Sequence, residues 1–206
     1  MIIFNTCGIV FCVLDNPKCG SSTLRVWYDT LYAQTNVIFD SALSYGDYAD
    51  PNYAHCNLEG AVKFLETRED IDISKVVFIS TIRNPVERYL SAYYYSLNYS
   101  NVSMYDPASP SAEEDFVKFI LDEVHFQHFY PDKFRVYKNY KVHTIKLESI
   151  YDDFISLFKS LNVNINCDLL KIVTNQTKRT ININLSDKTL HLIKDTFKLD
   201  YVDGNY

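Results

Sequence analysis

The chain alternates between short, unbroken apolar runs and stretches whose apolar positions recur every three or four residues. Residues 9–14, "IVFCVL", form one such run and stop at Asp15–Pro17. That is the pattern of a buried parallel strand. The apolar residues ahead of it, "MIIFNTCG", are read as the start of the same strand segment. From Ser21 the period changes: Leu24, Trp27, Tyr28 and Leu31 fall on one helical face. "VVFISTI" (76–82) is a second buried strand. It runs into Asn84–Pro85, a capping residue followed by proline at the first helical position. Glu87, three residues beyond Asn84, gives a loose capping box.

The polar stretch 98–111, "NYSNVSMYDPASPS", reads as a loop. Ser111 and Glu114 form a second capping box ahead of "FVKFILDEV". "VHTIKLE" (142–148) is a third strand, and "SIYDDFISLFKSL" (149–161) the helix after it. A last helix begins near Ser186, with Leu190, Ile193 and Phe197 on one face. Strands alternating with helices predict an α/β fold. It should be a single domain over residues 1–206, built as a parallel sheet flanked by helices. Ligands of such sheets bind outside the carboxyl ends of the strands. "NPKCGSST" and "RNPVER" both sit at strand-to-helix junctions, so they should share one edge of the sheet.

Composition narrows the function. At 206 residues, 47% hydrophobic and 22% charged, the chain has the make-up of a soluble globular domain. Seventeen tyrosines and thirteen phenylalanines imply an aromatic core and aromatic clefts. A net charge of −6 argues against general nucleic-acid binding, so an anionic ligand needs a local cluster of positive groups. The five cysteines are odd in number and lack zinc-site spacing, the pattern of free thiols in a reducing compartment. The apolar start has no basic flank and is too short for a bilayer. A soluble, cytoplasmic protein without signal peptide or membrane-spanning segment is the expectation.

Candidate chemistry concentrates in residues 15–25, "DNPKCGSSTLR". A turn feeding a helix start presents free backbone N–H groups. Gly20 allows close approach, Ser21, Ser22 and Thr23 add hydroxyls, and Lys18 adds a charge. A triphosphate-binding loop needs its lysine after the last glycine, and here the lysine precedes it. A cysteine phosphatase is a second possibility, because Cys19 and Arg25 have the cysteine–x5–arginine spacing. The flanking Lys18 and Val26 depart from that pattern. A non-catalytic nucleotide-binding protein is a third.

"PKCGSSTL" also resembles the 5′-phosphosulfate-binding loop of sulfotransferases that use 3′-phosphoadenosine 5′-phosphosulfate (PAPS). "STIRNPVERYLSAYYYS" (80–96) resembles their 3′-phosphate-binding segment, with Arg83 leaving the strand and Ser91 two turns into the helix. The resemblance implies the P-loop-kinase-like sulfotransferase fold and transfer of a sulfuryl group to a hydroxyl, with a glycan as the acceptor partner. It implies that Lys18 meets the leaving 5′-phosphate while Cys19, Gly20, Ser21, Ser22 and Thr23 cradle it, and that Arg83 and Ser91 take the 3′-phosphate. "TNQTKR" (174–179) is similar to a loop that closes on the nucleotide, which adds Asn175, Thr177, Lys178 and Arg179. The product is 3′-phosphoadenosine 5′-phosphate (PAP), and the family needs no metal.

The base is sought among histidines and carboxylates. "NYAHCNLEGAVKF" (52–64) is similar to a segment of heparan sulfate 2-O-sulfotransferases that supplies a histidine base, which points to His55, with Glu59 as the carboxylate alternative. His125 and His128 resemble a patch that contacts acceptor or cofactor, and packing at a helix end explains them equally. His143, inside a strand, and His191, in the last helix, are read as structural. Tyr93, Tyr94 and Tyr95 are expected to pack, or to line an acceptor cleft.

Overall fold

A computed structural model describes residues 1–14, 16–20, 23–24, 26–27, 36–40, 56–99, 112–121, 136–166, 183–198, 201–202 and 205–206. Five strands form one sheet: β1 (Ile2–Thr6), β2 (Ile9–Leu14), β3 (Asn36–Asp40), β4 (Val77–Ile82) and β5 (Val142–Lys146), in the order β3-β1-β2-β4-β5. The described residues also hold five α-helices: α1 (Leu58–Glu66), α2 (Pro85–Tyr99), α3 (Ala112–Leu121), α4 (Ile150–Ser160) and α5 (Asp187–Thr196). None of them is long and apolar enough to cross a membrane.

The sheet is mixed: the expected parallel part is present, and an antiparallel part that was not expected is added to it. β2, β4 and β5 pair in parallel, whereas β1 pairs antiparallel with both β2 and β3. The apolar start of the chain is therefore a hairpin. Cys7 (φ 52) and Gly8 (φ 79) both take positive φ between the paired residues Thr6 and Ile9. This is the two-residue type I′ turn, whose twist matches the flanking strands. The glycine in "TCGI" was the signal for it, masked by apolar residues on both sides.

Alternation along the strands sends side chains to two cores. On one face Phe11, Val13, Ile79 and Ile145 pack under α4 (Phe154, Leu157, Phe158) and under Leu24 and Trp27, from the helical residues after β2. Trp27 and Phe154 meet edge to face at 5.8 Å. On the other face Cys12, Leu14 and Phe78 pack against α1 through Leu58, Ala61, Val62 and Leu65. A third cluster joins α2, α3 and α5: Tyr93 contacts Phe116 and Phe119, each at 5.4 Å, and Tyr89 contacts Phe197 at 4.6 Å.

Strands are present within the predicted 9–14, 76–82 and 142–148, and helices follow the second and third. After the first, residues 23–24 and 26–27 are helical, while Tyr28 and Leu31 lie outside the described residues. The helix expected ahead of Ser111–Glu114 is α3, although Ser111 lies outside the described residues. Three local readings change. α2 continues through Asn98 and Tyr99, where the polar composition suggested a loop. On α5 the buried face is Thr189, Ile193 and Phe197, while Leu190 is exposed. β3 and α1 were not anticipated.

Gly8 tests the hairpin. A methyl group there meets nothing within 4 Å, so only the backbone conformation opposes it. Gly8→Ala should cost about 1 kcal/mol, read in urea unfolding as a lower midpoint at unchanged slope.

Candidate functional site

The parallel register pairs Leu14 with Ser80 and Ile82 with Lys146. The segments leaving β2, β4 and β5 therefore emerge together at one sheet edge, as the junction argument required. From β2 comes Asn16–Gly20, from β4 Arg83–Asn84, and from β5 Leu147–Glu148.

The first of these segments has an unusual backbone. Lys18 sits at φ 60 and Gly20 at φ 91. A lysine in the left-handed region is uncommon, and such residues persist only where their surroundings enforce them. At Gly20 a side chain would also collide with Leu147 from the end of β5. The helix begins at once, with the Leu24 N–H donating to the Gly20 carbonyl at 3.0 Å.

The enforcement comes from a residue that sequence reasoning missed. Arg88, on α2, is only 1% exposed. Its Nε donates to the Pro17 carbonyl at 3.1 Å and its Nη2 to Asn16 Oδ1 at 2.7 Å. The buried Asn16 passes the link on, donating from Nδ2 to the Thr81 carbonyl at 2.8 Å. One guanidinium thus ties the loop after β2 to the end of β4. Nothing in the pattern distinguished Arg88 from an exposed helix arginine. Asn16 could have been suspected as a turn residue at a strand end.

Arg83 approaches the same loop from β4, its Nη1 lying 3.5 Å from the Lys18 carbonyl. Its guanidinium also faces Glu87 at 3.5 Å. Three cations, Lys18, Arg83 and Arg88, therefore converge on Pro17–Lys18. The Lys18 ammonium stands 3.3 Å from the centroid of the Tyr95 ring. Partial burial, together with the charge of Arg83, pushes the Lys18 pKa from 10.5 down to about 8.

The start of α2 is closed by protein groups. Asn84 Oδ1 accepts from the N–H groups of Val86 (3.0 Å) and Glu87 (3.3 Å), so Asn84 is the cap that the sequence predicted. The reciprocal half of the capping box is not Glu87. Glu148 at the end of β5 accepts the Asn84 N–H at 2.8 Å, and it takes the Tyr206 hydroxyl at 2.6 Å on its other oxygen. Pro85 has no N–H to offer. A ligand at Arg83 must therefore be held by side chains and not by this helix terminus. Glu148 was legible in principle, since it follows the third strand as Arg83 follows the second.

The other predicted residues divide as follows. Cys19 is fully buried, Thr23 is 2% exposed and Ser91 5%. Ser91 lies between Arg88 and Tyr95 on one face of α2, at i, i+3, i+7 spacing. Glu59 is exposed on α1 and bound to Lys63 at 2.7 Å, which holds its carboxyl below the usual range. His143 is on β5, where burial lowers its pKa, and exposed His191 meets the Asp187 carbonyl through Nδ1 at 2.7 Å. Tyr93 and Tyr94 are buried, while Tyr95 is half exposed. Ser21, Ser22, Arg25, His55, His125, His128, Asn175, Thr177, Lys178 and Arg179 lie outside the described residues.

Comparison of the chain with protein-family models, with curated proteins and with solved structures finds no match.

Arg88→Met should destabilise the fold by about 2–4 kcal/mol in urea unfolding, because it strands two buried acceptors, Asn16 Oδ1 and the Pro17 carbonyl.

Proposed function

We propose that this edge binds the phosphates of PAPS and that the protein is a sulfotransferase, moving a sulfuryl group to an acceptor hydroxyl, with a glycan as the acceptor class. The observation that carries the reading is the convergence of Lys18, Arg83 and Arg88 on the Pro17–Lys18 segment of an otherwise acidic chain. Crowded cations with a lysine pKa driven down favour an anion strongly, since its arrival relieves the repulsion. The residue types around Lys18 and Gly20 also resemble those of the 5′-phosphosulfate loop. Arg83 leaves the adjacent parallel strand.

The donor supplies an activated sulfuryl group whose departure leaves charge on the 5′-phosphate. Lys18 neutralises that charge, and Gly20, Ser21, Ser22 and Thr23 are the residues proposed to cradle the same oxygens. Arg83 offers a planar fork of donors to the 3′-phosphate, with Ser91 beside it. Asn175, Thr177, Lys178 and Arg179 are the further residues proposed to contact the nucleotide. His55 takes the acceptor proton, so that the acceptor oxygen–sulfur bond forms as the sulfur–phosphate oxygen bond breaks. Glu59 is the weaker choice, because it is already committed to Lys63. The phosphatase reading loses ground for a similar reason: a fully buried Cys19 does not offer its thiolate to a phosphate ester.

Thermal shift with PAP tests the binding. PAP should stabilise the wild-type chain and lose most of that effect with Lys18→Ala and Arg83→Ala; no stabilisation of the wild type would exclude PAPS as donor. The pH dependence has a definite sign. Lys18 is charged below about 8, so PAP affinity should be highest there and should fall as pH rises through 8, a dependence absent from Lys18→Ala. The folding contribution runs the other way. The unfolded chain binds that proton more tightly, so this term gains stability between about 8 and 10.5.

In a transfer assay Cys19→Ala should keep most activity and His55→Ala should lose it. Wild-type transfer by His55→Ala would remove His55 from the mechanism.

A further inference from the structure

The holder of Lys18 stands three turns into α2. Arg88, Ser91 and Tyr95 share one helical face, and the loop after β2 lies along it: Pro17 over Arg88, then Lys18 over Tyr95. The neighbouring Tyr93 and Tyr94 belong to the α2–α3–α5 core. Tyr95 is 47% exposed, and its ring face lies 3.3 Å from the Lys18 ammonium. Core packing therefore does not account for an aromatic residue at this position.

We propose that Tyr95 is the positioning residue for Lys18, its ring holding the ammonium over α2 so that the charge already faces the sheet edge when an anion arrives. This rests on the reading of that edge as an anion site. A lysine has four rotatable bonds in its stem and, beside Arg83, every reason to swing away into water. A carboxylate partner would restrain it, but would also compete with the ligand for its charge. An aromatic face attracts a cation without neutralising it, and the attraction is stronger where water is partly excluded. Arg83 is the charge that acts on Lys18, and it pairs with Glu87. Arg88 is spent on the Pro17 carbonyl and Asn16, Glu148 is turned to Asn84 and Tyr206, and Lys146 stands over the Tyr206 ring.

Two measurements on the full chain test the assignment. Competitive acetylation with acetic anhydride, read by mass spectrometry, reports the reactivity of Lys18 without any nucleotide. Tyr95→Leu should raise the Lys18 labelling rate about threefold or more by uncovering the amine, and Tyr95→Phe, which keeps the ring, should not. Calorimetric PAP binding should weaken roughly fivefold in Tyr95→Leu, stay near wild type in Tyr95→Phe, and show no further loss when Tyr95→Leu is added to Lys18→Ala. Unchanged labelling in Tyr95→Leu, or a loss of affinity that persists in the Lys18→Ala background, would overturn the proposal. A wild type that ignores PAP yet shows the labelling change would instead remove PAP as ligand and leave the Lys18–Tyr95 pairing standing.

Discussion

The buried guanidinium of Arg88 is the constraint on which the edge of the sheet depends. Strand pairing brings the ends of β2 and β4 side by side, but pairing stops at Leu14 and Ser80 and says nothing of the path beyond. Arg88 fixes that path by accepting the cost of burial and spending its donors on Pro17 and Asn16, and Asn16 returns the link to β4 at Thr81. The left-handed conformation of Lys18 follows, because the carbonyl before it and the strand behind it are both tied down. A planar fork suits the task, since it reaches a backbone carbonyl and a side-chain amide at once.

The electrostatic character of the site follows from that geometry. Holding the loop against α2 brings Lys18 within reach of both Arg83 and Tyr95. The lysine is lifted partly out of water beside a like charge, which makes its proton unusually loose. Isolated surface charges gain little from proximity, whereas half-buried ones are strongly coupled to their neighbours and to any ligand. An overall acidic chain can thus carry a cationic point at one edge.

Much of this was legible in the residues. Apolar runs and their terminators located β2, β4 and β5, and parallel pairing followed from the helices between them. The common edge of "NPKCGSST" and "RNPVER" came from those two facts. The hairpin was not legible, because a tight turn inside an apolar stretch leaves only Gly8 as a mark. Arg88 and Glu148 were missed for a different reason. Each acts through a contact more than sixty residues away in sequence, so its role is set by the register of other elements and not by its neighbours. Thr189 replaced Leu190 on the buried face of α5 because its hydroxyl, with the N–H and hydroxyl of Ser186, binds Glu113 of α3. A polar tie fixed the rotation of that helix, where an apolar period had been read.

The sealed start of α2 gives the two halves of the edge different capacities for change. The segment after β2 draws on its backbone, whose course is anchored by Asn16 and Arg88, so alterations there must respect the fold. Asn84, Pro85 and Glu148 complete the second turn without help from Arg83. Arg83 can therefore be exchanged for another side chain while the turn beneath it keeps its shape. A change at Arg83 would alter the charge at this edge, and with it the hold of Lys18 on its proton, without disturbing the turn that starts α2.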